Sequence, residues 1–453
     1  MSFVPDRAQP ALAFIRPNYS PWLRRVMRPL MPAWIAAKTD LAEVEVRNVE
    51  TLARLYQDFE AGKTRFLFAF RHPSTTDPYV LSQLLWRELP QKAEELGLEL
   101  GETHSHFIYD RGIPLWAGQY LGWVFSHLGG VPIQRGKLDL LALKTARQLF
   151  CEGRFPLAAA PEGGTNGHNE IVSPLEPGIA QLSFWCAEDI AQKGTGEAVV
   201  FLPVGIQYRY VKEPWEPLTE LIGQLEKDTG LGKPQELDLY GRLYRLAEHL
   251  LSLMEGYYRD FYSVDFANVS PSVVESAAES ANCNEQLAAR LAALMDEALK
   301  VAEQYFGLRP KGTMIDRCRK LEQAGWSRIF REDTESLSEV ELGLANRVAE
   351  EANLRMWHMR LVEGFVAVTG CYVKEHPSAD RFAETTLLLR NMVAKIKGEL
   401  ADYPSLGKQR AIATVGKPIE VDTRLADYKS KRRAAIATLT SDLQTSLEDM
   451  ILP

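Results

Sequence analysis

From residue 65 to 210 short β-rich runs alternate with helical patterns, but from 211 to 410 strand signals almost vanish, and β character returns only at Ala411–Val421. That interruption constrains the fold more than any other feature of the chain. A lone strand is not stable by itself in water, so the run AIATVGKPIEV has to rejoin a sheet built from the earlier segment. The strand candidates in that segment are Arg65–Phe70, His106–Tyr109, Val131–Gln134, Phe155–Ala160 and Ala198–Gln207, with helical patterns at 78–96, 114–128, 138–152 and 175–191. Strands and helices alternating at these lengths define a layered α/β domain with a mainly parallel sheet. The middle of the chain reads differently. Leu239, Leu243, Leu246, Leu250, Met254 and Tyr257 recur at helical spacing, as do Leu287, Leu291, Leu294 and Leu299, then Leu337, Val340, Leu344 and Val348, then residues 387–396. The expected organisation is an N-terminal arm over 1–45, an α/β domain of 46–210 plus 411–453, and a large all-helical insertion over 211–410.

Charge divides the chain in the same way. Residues 1–38 hold six basic side chains (Arg7, Arg16, Arg24, Arg25, Arg28, Lys38) and one acidic, Asp6, a net of +5; residues 211–410 hold 25 basic and 32 acidic groups, a net of −7. The whole chain carries −8, which argues against a nucleic-acid partner. Five scattered cysteines form no CxxC pair, so neither a disulfide framework nor a zinc cluster is indicated and a reducing, cytoplasmic setting is expected. There is no secretory pattern and no run of 18 apolar residues. Trp22–Ile35, however, reads WLRRVMRPLMPAWI. Tryptophans and aliphatics mixed with arginines suit a membrane interface with anionic lipid, or else an arm packed on the α/β domain. Pro29 and Pro32 predict a short, bent element there.

Four segments carry candidate chemistry. The first is His72-Pro-Ser74-Thr-Thr-Asp77, directly after the apolar run Phe66–Phe70. A carboxylate five positions on, across a turn into a helix, can fix the imidazole tautomer and make the histidine a general base for a hydroxyl; the bland alternative is a turn with a surface histidine. The second, Gly129-Gly-Val-Pro-Ile-Gln-Arg135-Gly-Lys137, ends a strand in two cations suited to a phosphate, or is a solvated basic turn. A P-loop is rejected because the spacing is wrong and Leu138 stands where Ser or Thr is needed. The third, Glu162-Gly163-Gly164-Thr165, lets backbone N–H groups approach a ligand while Glu162 and Thr165 offer hydrogen bonds. The fourth, Leu202-Pro203-Val-Gly-Ile206, lines an apolar pocket or the core.

In this order, the four segments resemble the glycerolipid acyltransferase family, which includes lysophosphatidate and glycerol-3-phosphate acyltransferases. The family pattern is His-x4-Asp, then a G-x-[IFV]-x-[IV]-x-R turn, F-P-E-G-T and a V-P-V-like strand. The likeness runs from about 60 to 210 and returns in VGKPIEV. It departs at Arg71, where the family commonly has Asn, at the extra glycine of Glu162-Gly-Gly-Thr165, and at Asn166, where Arg is often found. The resemblance implies that His72 deprotonates the acceptor hydroxyl, which attacks a fatty acyl thioester directly, and that Asp77 orients His72. Ser74, Arg135, Lys137, Glu162, Gly163, Gly164, Thr165 and Pro203 would serve the substrate, with Arg135, Lys137 or Arg71 at the acceptor phosphate. It implies an acyl-CoA or acyl-carrier-protein donor, a glycerol-phosphate lipid acceptor, foremost 1-acylglycerol-3-phosphate, and no cofactor. Glycerol-3-phosphate as acceptor and a non-catalytic lipid- or protein-binding scaffold are the alternatives. A membrane-surface location follows from the lipid acceptor.

Weaker candidates fall away on sequence grounds. His104 and His106 form an HxH pair without a third ligand at metal spacing, and Ser173 and Ser183 lack a G-x-S-x-G elbow. Arg111, Lys144, Arg147 and Arg154 are the expected basic surface for an acidic acyl carrier.

Overall fold

The computed structural model describes residues 7–134, 139–232, 237–266, 283–366, 371–399 and 404–452. It divides into two compact units, one of Ala13–Lys212 with Gly407–Pro453 and the other of Met1–Leu12 with Glu213–Leu406. The strands are β1 (Gln9–Pro10), β2 (Leu41–Arg47), β3 (Thr64–Phe70), β4 (His106–Asp110), β5 (Gly130–Ile133), β6 (Leu157–Ala159), β7 (Ala198–Tyr210), β8 (Phe330–Arg331), β9 (Gln409–Val415) and β10 (Ile419–Glu420).

The first unit is a layered α/β structure around one sheet of order β2-β9-β7-β3-β6-β4-β5, with β10 also on β7. Pairing is parallel throughout except where β9 and β10 run antiparallel to β7. Strand period explains why both faces are covered. Phe66, Phe68 and Phe70 of β3, with Val200, Leu202, Val204, Ile206 and Tyr208 of β7, pack on the helices Val49–Glu60 and Asp77–Gln83. Leu67, Ala69, Val199 and Phe201 face the opposite way, towards the helices Leu140–Glu152, Gly178–Lys193 and Arg432–Glu448.

The strand expected at 411–421 is therefore two strands, both antiparallel to β7 along the same edge, interrupted at residues 416–418. That interruption accommodates Pro203 in a central strand, a position where the missing N–H ordinarily breaks a ladder. The carbonyl of Pro203 accepts from Gly416 N–H at 2.9 Å. N and C=O of one strand residue point to the same side, so the imide nitrogen faces the interruption between β9 and β10 and not a ladder carbonyl.

One expectation needs correction. In place of a short, bent element, Pro21–Lys38 forms one helix of 18 residues that continues through Pro29 and Pro32. Leu23, Met31 and Ile35 are buried on one side, while both prolines are exposed. Their missing donors and rings therefore fall where solvent replaces the lost bonds. Within the helical unit, the stripe Val340, Leu344, Val348 is exposed at 75%, 64% and 40%. The buried side of the helix Glu339–Glu363 carries Ala345, Ala349, Ala352 and Met356 instead. A Cβ on Gly325, in the helix Met314–Ile329, would lie 2.0 Å from Met356 Sδ. The two helices meet through small residues, and backbone proximity outweighs side-chain bulk.

The same unit buries a polar cluster around His358. His358 is 1% exposed, and its two ring nitrogens lie 2.7 Å from Tyr258 Oη and 3.1 Å from Tyr262 Oη. Burial holds this imidazole down to about 4, so it stays neutral and joins two aromatic side chains of the helix Leu239–Tyr262.

Candidate active site

β3 ends at Phe70, and the chain turns through Arg71–Thr76 into the helix Asp77–Gln83. Pro78, near the helix start, presets the dihedral there and loses no intrahelical bond. The turn brings His72 Nδ1 to 2.7 Å from Asp77 Oδ2. The same oxygen accepts from Ser74 N–H at 3.1 Å. Tyr208, at the end of β7, donates its hydroxyl to Asp77 Oδ1. Asp77 is fully buried, whereas the His72 side chain is 23% exposed. Burial raises the Asp77 carboxyl above the ordinary carboxylate range, opposed by its bonds to His72, Tyr208 and Ser74. Burial, and then the charge of Asp77, hold the Tyr208 phenol well above its ordinary value, so it remains a donor. A carboxylate on Nδ1 places the ring proton there and leaves Nε2 as an acceptor. Among the described residues no hydrogen bond engages Nε2. This is the arrangement of a general base.

A second cluster holds the backbone of His72. Glu162 Oε1 accepts from His72 N–H at 2.9 Å, and Oε2 accepts from Asn166 Nδ2 and Ser173 N–H, each at 2.9 Å. Both oxygens of this buried carboxylate are thus bound by the chain itself. Asn166 Nδ2 also reaches Ile171 O at 2.7 Å, and its Oδ1 accepts from His168 N–H at 2.9 Å. Gly163, at φ +71°, makes the turn that lets Glu162 point inward while the loop moves away. Gly164 is half-buried, Thr165 is exposed, and Pro203 lies in the core of β7.

Arg71 is not available to a phosphate. It is 1% exposed, and its guanidinium donates to Asn169 O at 2.5 Å, His168 O at 3.0 Å and Ile171 O at 2.6 Å, with Nε 3.9 Å from Glu162 Oε1. It clamps the 168–171 loop. Arg135 and Lys137 lie outside the described residues. Asp139 flanks that stretch, binding Arg111 and accepting from Gln134 N–H at 3.2 Å. The expected carrier-binding surface is mostly neutralised, because Arg111 is paired with Asp139, Arg147 with Asp189 and Arg154 with Glu102. Only Lys144 of the four is exposed without an ion pair among the described residues.

The HxH pair is structural. His104 Nδ1 accepts from Trp86 Nε1 at 3.1 Å and Nε2 donates to Leu128 O at 2.8 Å, with burial lowering the ring to about 3. His106 Nδ1 lies 3.1 Å from Gly129 O. A Cβ on Gly129 would come within 2.6 Å of that ring, so the first glycine of the Gly129-Gly130 pair is required by the close approach of β5 to β4.

Tyr208 is the site residue that sequence reasoning missed. The sequence pattern takes the strand only to Gln207, but strand period puts residue 208 on the face of Leu202, Val204 and Ile206, towards Asp77. Asn169 Oδ1 accepts from Tyr208 N–H at 2.7 Å and fixes the end of the strand. Tyr208→Phe is expected to lower kcat about 10–100-fold, since a hydrogen bond to a charged group contributes roughly 1.5–3 kcal/mol. Losing the donor raises Asp77 further, so its ionised form is lost at a higher pH and the acidic limb of the pH–rate profile should move upward. An unmoved acidic limb would reduce Tyr208 to a packing role.

Residues 43–207 match the family model described as Acyltransferase. The match begins in β2 and ends in β7, enclosing His72, Asp77 and Glu162. This part of the chain is thus a domain of the glycerolipid acyltransferase family, and it supports acyl transfer from an acyl donor to a lipid acceptor in general. No curated protein matches the chain.

Proposed function

We propose that the protein transfers a fatty acyl group from a thioester, acyl-CoA or acyl-carrier protein, to the free hydroxyl of 1-acylglycerol-3-phosphate, giving phosphatidate. The observation behind this reading is the His72–Asp77 pair, with Nδ1 committed to a buried carboxylate and Nε2 uncommitted, inside an acyltransferase-family domain. Nε2 takes the hydroxyl proton as the oxygen attacks the thioester carbonyl. The C–O bond forms, the C–S bond breaks, and the proton returns to the departing thiolate. Asp77 stabilises the imidazolium, and Tyr208 and Ser74 keep Asp77 ionised. Glu162 acts as a positioning residue through the His72 backbone. Holding two substrates together accounts for much of the rate in such a reaction. The acceptor phosphate is assigned to Arg135 and Lys137, and the working location to the cytoplasmic face of a membrane.

Purified protein should release free thiol and form phosphatidate when given 1-acylglycerol-3-phosphate with an acyl-CoA or acyl-carrier-protein donor. Arg135→Ala should raise the acceptor KM at least about 10-fold, as a charge-assisted contact worth roughly 1.5–3 kcal/mol is lost, with little change in donor KM. Acylation of glycerol-3-phosphate in preference would change the acceptor assigned here. Absence of any thiol release would favour a non-catalytic scaffold.

A further inference from the structure

The end of β4 holds two buried donors that nothing among the described residues satisfies, the hydroxyl of Tyr109 and, just past the strand, Nε of Arg111. Tyr109 is an exception among the buried tyrosines. Tyr56 bonds His104 O, Tyr208 bonds Asp77, Tyr258 bonds His358, Tyr372 bonds Glu384, and Tyr428 accepts from Gln181 Nε2. Tyr109 is 7% exposed, its ring held edge-on to that of Phe125 with centroids 4.9 Å apart. Burial pushes its phenol up to about 12, so the hydroxyl keeps its proton. A buried hydroxyl without a partner costs free energy that a bound oxygen would recover.

Sheet register places this donor relative to the base. Phe68, Ala158 and Phe107 are partners across β3, β6 and β4. Two residues further on, Phe70, Ala160 and Tyr109 make the next row on the same face. Tyr109 is in turn the partner of Pro132 on β5. The rings of Phe70 and His72 have centroids 5.9 Å apart, so one end of the row touches the base. Neighbouring strands lie about 4.8 Å apart, which puts Tyr109 about 10 Å from Phe70 along the row. Between the two aromatic residues stands only the methyl group of Ala160. Ala160 is half-buried although a strand flanks it on either side, whereas Phe70 and Tyr109 are both buried. Solvent therefore reaches the row at its middle, in a gap with Phe70 and His72 on one side and Tyr109 on the other.

β5 leads from Pro132 towards Arg135, to which the acceptor phosphate is assigned above. An acceptor with its free hydroxyl at His72 Nε2 and its phosphate beyond β5 has to cross this row. Tyr109 is the unused donor along that path, and it belongs to none of the four sequence segments that carry candidate chemistry. We propose that Tyr109 binds the acceptor, its hydroxyl donating to an oxygen of the glycerol-phosphate molecule held over Ala160. This assignment rests on the glycerol-phosphate acceptor proposed above, and its test reads binding in the absence of any donor.

The full chain is titrated by calorimetry with a short-chain 1-acylglycerol-3-phosphate below its micelle concentration, and separately with octanoyl-CoA. Tyr109→Phe should raise the acceptor Kd at least about 10-fold and leave the octanoyl-CoA Kd unchanged. Its thermal midpoint should not fall, because the hydroxyl removed has no partner in the free protein; a hydroxyl with a structural bond would lower it. Ala160→Val, checked for folding by circular dichroism, should weaken acceptor binding too, since the added methyl groups fill the gap. Unchanged acceptor affinity in Tyr109→Phe, a loss confined to octanoyl-CoA, or a midpoint lowered by more than about 2 °C would overturn the assignment. So would a folded Ala160→Val variant that binds the acceptor like the parent. A parent that binds no 1-acylglycerol-3-phosphate would remove the acceptor reading itself, and this contact with it.

Discussion

Replacing His72 with alanine should lower kcat about 10²–10⁴-fold, the range for loss of a general base, with both KM values nearly unchanged. The backbone of residue 72 is held by Glu162 and not by the ring, and the ring is 23% exposed. Truncation therefore leaves no sealed cavity, and the circular dichroism spectrum should match that of the parent. Asp77→Asn tests the same unit differently. An amide whose NH2 faces Nδ1 would favour the other tautomer, putting the ring proton on Nε2, where the acceptor hydroxyl needs a base. Its loss should approach that of His72→Ala, and the double variant should be little worse than either, because residues that act as one unit are not additive. Activity of His72→Ala within a few-fold of the parent would remove the assignment.

How much of this was legible follows from how local each interaction is. The His72–Asp77 pair spans five residues across one turn, and the apolar run before it alternates cleanly between the two faces of β3. Both could be read from sequence, as could β4, β5, β6 and β7 to within a few residues of their ends. Tyr208 could not, because it meets Asp77 across 131 positions and only the register of β7 on β3 brings them together. At Val340–Val348 helical periodicity identifies an apolar face and the helix, without saying whether a partner covers that face. Here the alanines opposite allow the closer approach, and they make the seam. The prolines of Pro21–Lys38 misled for a related reason, since a break signal depends on whether the lost donor faces the core or water.

Arg71 shows what a motif departure can mean physically, and its removal is expected to have the largest effect on stability. A cation beside the candidate base reads as a phosphate ligand in sequence. In the structure its guanidinium donates to the carbonyls of His168, Asn169 and Ile171 and lies 3.9 Å from Glu162. The loop after Glu162 carries one glycine more than the family pattern, and Arg71 together with Asn166 ties the lengthened loop back under His72. Arg71→Leu would leave a buried carboxylate without its charge partner and three carbonyls short of a donor. Breaking a buried pair on one side costs about 3–5 kcal/mol. At roughly 2–4 °C per kcal/mol for a unit of this size, the thermal midpoint should fall by about 6–20 °C. Arg71→Lys should recover only part of this, because one ammonium on a flexible stem cannot reach three carbonyls that a planar fork reaches at once. Activity at a temperature where the variant is still folded separates the two consequences. If Arg71 also positions the base through Glu162, kcat should fall while both KM values stay close to those of the parent. A midpoint shift under about 2 °C would mean that solvent or rearrangement replaces the guanidinium, and the clamp would then have no energetic standing.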